Sequence, residues 1–181
     1  FLSEQAVQYI EAQQFLPVRK IYYRNSNLNF ESVDRLLSSL QKRPFRGCML
    51  PQREALDEQA LLFLLKDEDI QKKLDSPLRI EFLWQICRIP DYQQETHLSH
   101  FRFLKRIYLE LTTGDGVLPD PWVSQQAKKL GNLAGDIPQL LRQMASVRTW
   151  AYISHRPDWL RSPAYWITHF KELEETLSAT L

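Results

Sequence analysis

The chain has 181 residues, 44% of them hydrophobic, with 23 basic side chains against 22 acidic ones and a formal charge of +1. That length supports one sizeable core or two small ones, and the balanced charge excludes the strong overall polarity of a chain made for polyanions or membrane surfaces. Two cysteines, Cys48 and Cys87, are too few for a disulfide framework and have no metal-type neighbours. No apolar run approaches the roughly 18 residues of a membrane span, and the N-terminus does not read as a signal peptide, so a cytoplasmic protein with no membrane partner is expected.

Apolar residues recur at spacings of three and four from end to end, and five glycines with few alternating runs argue against a sheet-based fold. The expectation is an all-α, multi-helix domain. Residues 18–23, rich in β-branched and aromatic side chains, read as one short strand or an extended connector. A helix follows, with Asn29 as N-cap and Phe30, Val33, Leu36, Leu37 and Leu40 as its stripe, stopping before Pro44. Leu56 to Leu65 is a dense apolar helical run. Leu78 to Ile89, ended by Pro90, is apolar on nearly every side and is expected deep in the core. Tyr92 to Thr113 offers Phe101, Leu104, Tyr108 and Leu111 as a buried face, with Gly114 placed for a left-handed C-cap, and the stretch from Gly114 to Pro121 reads as a joint. Beyond it come Trp122 to Leu130, a helix capped by Asp136 with Ile137, Leu140, Leu141, Met144, Val147 and Ala151 along its face, and a last helix opening near Ser162 and Pro163. Trp166, Phe170, Leu173, Leu177 and Leu181 carry that last pattern to the end without a cap, and the chain opens on Phe1. Both ends therefore read as cuts in a longer protein, the alternative being processing at the front and a helix that ends naturally.

Charge is unevenly spread. Between Leu16 and Arg53 stand Arg19, Lys20, Arg24, Arg35, Lys42, Arg43, Arg46 and Arg53 against only Glu31 and Asp34, a net of +6, and from Glu54 to Asp75 acidic residues dominate. Arg19, Lys20 and Arg24 precede the first clear helix while Lys42, Arg43 and Arg46 follow it, so these six are the candidate contacts to a nucleic-acid backbone. A solvated basic face, or one docking on an acidic neighbouring domain, fits the same pattern. Nothing matches the glycine-rich phosphate loops GxxxxGK[ST] or GxGxxG, so no nucleotide cofactor is expected to bind to this chain. His97 and His100 share a helix face but lack a third ligand, and Ser154 and His155 are adjacent and point apart, so neither pair is assigned chemistry. Trp150, Trp159 and Trp166, with Tyr152 and Tyr165 between them, are expected to be core anchors, base stacking being the other use of such rings.

Three segments, LPVRKIYYRNSNLNFESVDRLLSSLQ (16–41), SPLRIEFLWQICRIPD (76–91) and DIPQLLRQMASVRTWAYISHRPDWL (136–160), resemble in that order the region following the motor core in the mitochondrial degradosome type of DExH-box RNA helicase, above all its bacterial relatives. The resemblance covers most of the chain, through diffuse patterns with no catalytic motif among them. It implies a basic connector over 1–53, a helical domain over 54–113 and a C-terminal helical module over 122–181, truncated at its end. It also implies that ATP and Mg serve the parent helicase. The expected partners are RNA or an RNA/DNA hybrid, the RecA-like motor lobes of the same parent chain, and an exoribonuclease. The chain itself lacks a phosphate loop and a DExH box, so the resemblance carries over no catalytic residue. A self-contained helical adaptor, binding a protein through its aromatic-rich C-terminal half, is the competing expectation.

Overall fold

The computed structural model describes residues 3–14, 21–43, 49–51, 55–93 and 97–181. These residues are mostly helical, with one two-stranded sheet, and they divide into two compact units: residues 1–29 with 33–53, and residues 30–32 with 54–181.

The first unit holds α1 (Glu4–Glu11), β1 (Ile21–Tyr23), α2 (Val33–Leu40) and β2 (Met49–Pro51). β1 and β2 pair in parallel, Ile21 opposite Met49 and Tyr22 opposite Leu50. Parallel strands cannot be joined by a tight turn, and the crossover here contains α2, so the unit is a minimal βαβ arrangement. The strand expected near 18–23 is present over its last three residues; its partner β2 is too short to leave a periodic signal. α2 begins at Val33 and not directly after Asn29. The backbone N–H of Asn29 donates to Ser39 Oγ, 3.2 Å away. Leu36 and Leu40 are the buried residues of α2.

The second unit comprises α3 (Leu56–Leu64), α4 (Glu68–Gln71), α5 (Pro77–Cys87), α6 (His97–Thr112), α7 (Asp120–Leu130), α8 (Ile137–Ser154) and α9 (Pro163–Thr180). α3, α5 and α6 pack on one another, α4 leans on α6, and α8 packs on both α7 and α9. α5 starts on Pro77, where a missing N–H costs nothing, and buries Ile80, Leu83, Trp84, Ile86 and Cys87. Its opening turn departs from the expectation of burial all round, because Leu78 is 77% exposed. Asp67 caps α4 through the N–H groups of Asp69 and Ile70. It also meets Lys105 Nζ of α6, an ion pair that holds the Asp67 carboxyl below its ordinary range.

Gly114, past the end of α6, has φ 71°, the left-handed conformation open to glycine without steric cost. Residues 54–113 and 122–181 belong to the same unit. The stretch between them is laced to the α8–α9 loop: Leu118 N donates to Trp159 O at 2.9 Å, Arg161 pairs with Asp115, and Trp159 packs edge-on against Phe82 of α5. α8 opens on a full capping box, Asp136 accepting from Gln139 N while the Gln139 side chain accepts from Asp136 N. Its buried face keeps Leu140, Met144 and Val147 of the expected one and departs from it elsewhere. Ile137 and Leu141 are 65% and 54% exposed, and the core side is carried further along by Thr149, Trp150, Ile153 and Ser154.

Trp150 is the centre of the aromatic core, stacked on Phe170 of α9 at 5.9 Å and edge-on to Trp122 of α7 and Phe103 of α6 at 5.4 and 5.5 Å. Trp150, Trp159 and Trp166 are each at most 5% exposed, so all three are core anchors. Truncation of Trp150 to alanine is expected to cost about 3–5 kcal/mol, read as a lowered urea midpoint at unchanged slope. Tyr108 of α6 gives a contrasting outcome. Its ring is fully buried, its hydroxyl has no hydrogen-bond partner among the described residues, and burial raises its pKa to about 12. Tyr108→Phe removes a desolvated polar group that has no compensating hydrogen bond, so stability is expected to hold or to rise by about 1 kcal/mol in the same measurement.

Candidate functional site

In the first unit the polar anchor is Asn25, which is 7% exposed. Its Nδ2 donates to Asn27 O and Ser39 O, both at 2.8 Å, while its Oδ1 accepts from Asn27 N. Ser39 O also lies 3.4 Å from the backbone N–H of Lys42. One carbonyl near the end of α2 is thus approached by the residue after Arg24 and by Lys42 itself. The backbone that follows Arg24 is thereby tied close to that of Lys42, although 18 positions separate the two residues in sequence, and Nη2 of Arg24 is itself buried. Lys42 and Arg43 are exposed and have no ion pair among the described residues. Arg19, Lys20 and Arg46 lie outside the described residues. Sequence spacing alone left open which way the two clusters face; the Asn25 side chain ties the segment after Arg24 to the end of α2, just before Lys42.

The second unit holds a cavity of about 180 Å³ where the start of α6 meets α7 and α8. Phe103 and Trp150 give it aromatic walls, and Asp91, His100, Gln126 and Thr149 bring polar groups to its lining. The Asp91 side chain is only 5% exposed; Oδ1 accepts from Gln93 N at 3.1 Å and Oδ2 lies 3.6 Å from His97 Nδ1. His100 sets its Nε2 3.0 Å from Ile89 O, a contact that requires the proton on Nε2 and leaves Nδ1 as an acceptor. Burial pulls the His100 imidazole below its ordinary range; Asp91 and the Ile89 carbonyl pull the other way, and His97 adds to the lowering. His97 and His100 thus turn to different partners, and no group of metal-type ligands is found among the described residues.

Gln93, Leu130 and Ser146 line both this cavity and a shallow groove beside it, which continues past Asn132, Arg142 and Gln143. Gln93 Nε2 donates to Ser146 Oγ, fastening the segment before α6 to α8. Gln143 donates through Nε2 to Asn132 O at 3.0 Å, while its Oε1 is buried with no hydrogen-bond partner among the described residues. Swapping the amide would set two oxygens against each other, so the unanswered acceptor is a consequence of the packing. Sequence reading missed this site because its residues come from three helices and an intervening turn. The one local sign was Thr149, a polar side chain on the apolar face of α8.

No protein-family model, curated protein or solved structure matches the chain.

The His100 environment makes stability depend on pH. The imidazole is held neutral in the fold, whereas the unfolded chain takes up a proton near the ordinary value of 6.5. The stabilisation is therefore complete above that pH and declines as pH falls through it towards the lower folded value. Urea midpoints measured from about pH 7.5 to 5.5 are expected to fall, and to fall less in His100→Gln.

Proposed function

We propose that this chain is the accessory helical region of an ATP-dependent RNA helicase of the degradosome type, with its first unit contacting the phosphate backbone of a single strand. The observation that carries this reading is the Asn25 knot, which ties the segment after Arg24 to the end of α2, next to the exposed Lys42 and Arg43. Cations concentrated in this way follow a polyanion better than the same charges dispersed around a domain. A second observation supports docking on motor lobes. Parallel sheets are normally covered on both faces, yet Ile21 and Tyr22 on β1 are 51% and 71% exposed. Packing against a neighbouring α/β lobe of the same parent chain would cover them. Catalysis in this reading belongs to that parent, with its ATP and Mg, and the chain supplies positioning alone.

The adaptor reading is favoured by a different feature. Tyr92 and Leu141 line a shallow exposed groove with Pro138, and Ile137 is exposed beside it, which gives α8 an apolar strip suited to a protein partner.

The two readings separate in a salt titration of single-stranded RNA binding, measured by fluorescence anisotropy with the full chain. Lys42→Ala with Arg43→Ala is expected to weaken binding and to flatten the dependence of log K on log salt by about 0.7 for each phosphate that is no longer neutralised. An unchanged slope would place these side chains elsewhere and leave the adaptor reading. Asn25→Ala keeps every charge and is expected to weaken binding by releasing their arrangement.

A further inference from the structure

α8 carries an apolar strip that the fold leaves uncovered. Ile137, Leu141 and Ala145 follow one another four positions apart, which sets them on one side of the helix. Ile137 and Leu141 are 65% and 54% exposed. Tyr92, also exposed, lines the groove beside them, and its neighbour Gln93 holds that segment to α8 by donating to Ser146 Oγ. Scattered apolar side chains on a surface are ordinary, whereas a contiguous row on a rigid helix marks a place of contact. The backbone decides what form a partner takes. α8 spends its N–H and C=O groups on its own hydrogen bonds, so it offers no ladder to an extended strand. A segment lying along it has to satisfy its own backbone, as a helix does. Charge decides what else the partner carries. Arg148 lines the groove and engages Glu174 through Nε alone, so the N–H groups of its two terminal nitrogens make no hydrogen bond among the described residues. Arg142 stands on the same groove, and no aspartate or glutamate does so among the described residues. A guanidinium holding one carboxylate through Nε can take a second through its terminal pair, so an acidic side chain is favoured there and an ammonium is not.

We propose that this strip docks a short amphipathic helix of another protein, one with leucine-type anchors at spacings of three and four and acidic residues beside them. From Ile137 to Arg148 the helix rises about 16 Å, which matches about three turns of such a partner. Its anchors cover Ile137, Leu141 and Tyr92, the small Ala145 admits a close approach, and a carboxylate meets the terminal nitrogens of Arg148. A nucleic-acid backbone would leave the apolar row uncovered, so a protein segment is the better occupant. This docking rests on the adaptor reading and involves a different unit from Lys42 and Arg43, so it stands or falls apart from RNA binding.

A displayed library of alanine-based helices, about 16 residues long so that they hold a helix and randomised along one face, is selected against the full chain. Enrichment of leucine-type residues at spacings of three and four, together with aspartate or glutamate, is expected. The most enriched peptide is then labelled with fluorescein and titrated by anisotropy. Ile137→Ser and Leu141→Ser are each expected to weaken it by about tenfold at an unchanged melting temperature, since each removes an apolar contact from an exposed position. Exchanging the peptide's glutamates for glutamine is expected to weaken binding to the natural chain and to change little in Arg148→Gln. If Arg148→Gln melts early through loss of the Glu174 pair, the peptide exchange against the natural chain carries the comparison. Enrichment without that spacing or without acidic residues, or indifference to both Ile137→Ser and Leu141→Ser, would overturn this proposal alone, and no enrichment at all would overturn the adaptor reading with it. Three further outcomes assign the strip to another occupant and overturn the proposal. They are displacement of the peptide by oligouridine that survives Lys42→Ala with Arg43→Ala, binding to phosphatidylglycerol vesicles that Leu141→Ser abolishes, and a dimer in sedimentation that Leu141→Ser dissolves.

Discussion

Four helices of the second unit meet on one indole. Trp150 takes Phe170 against its face, receives Trp122 and Phe103 edge-on, and so registers α9, α7 and α6 against α8. Aromatic pairs in these geometries add to the stabilisation from burial and restrict how the helices slide. The same ring forms a wall of the polar cavity. The shape of that cavity therefore follows from the core packing around Trp150, and its lining is held by rigid helices more than by loops.

Electrostatics divides along similar lines. In the second unit the Asp67–Lys105 pair ties the start of α4 to α6, Arg148 of α8 meets Glu174 of α9 at 2.8 Å, and Arg106 lies 4.1 Å from the centre of the Trp122 ring. These charged side chains serve to join or brace helices. In the first unit Lys42 and Arg43 stand exposed near a buried asparagine. Asn25 is buried at a small desolvation cost because both its oxygen and its nitrogen find backbone partners. A polar side chain held in this way fixes the course of two chain segments that hydrophobic contact alone would leave loosely related.

Most of the helices are legible in the sequence. Pro77, Asp136 and Pro163 open α5, α8 and α9 close to where local chemistry puts them, and Gly114 takes the positive φ its place predicts. Legibility fails where a residue's role depends on a distant partner. Asn29 has the character of a cap, yet α2 begins only at Val33, and the Asn29 backbone N–H donates to Ser39. Ile137 and Leu141 follow the apolar period of α8 but find no neighbour to cover them, and β2 exists only because β1 offers it a ladder. The basic clusters are visible as composition; the polar cavity is not visible at all, since Asp91, Gln126 and Thr149 are ordinary residues in their own segments.

The sequence by itself determined a helical chain, its caps and breaks, its buried tryptophans and its uneven charge, because each of these rests on spacing, backbone preference or composition within a few residues. Tertiary structure alone decided the parallel pairing of β1 with β2, the tie from Asn25 to the end of α2, and the gathering of a carboxylate, a neutral imidazole and two aromatic rings around one cavity. Those features depend on which faces of separate helices and strands come into contact, and periodicity within a segment carries no information about the segment it will meet.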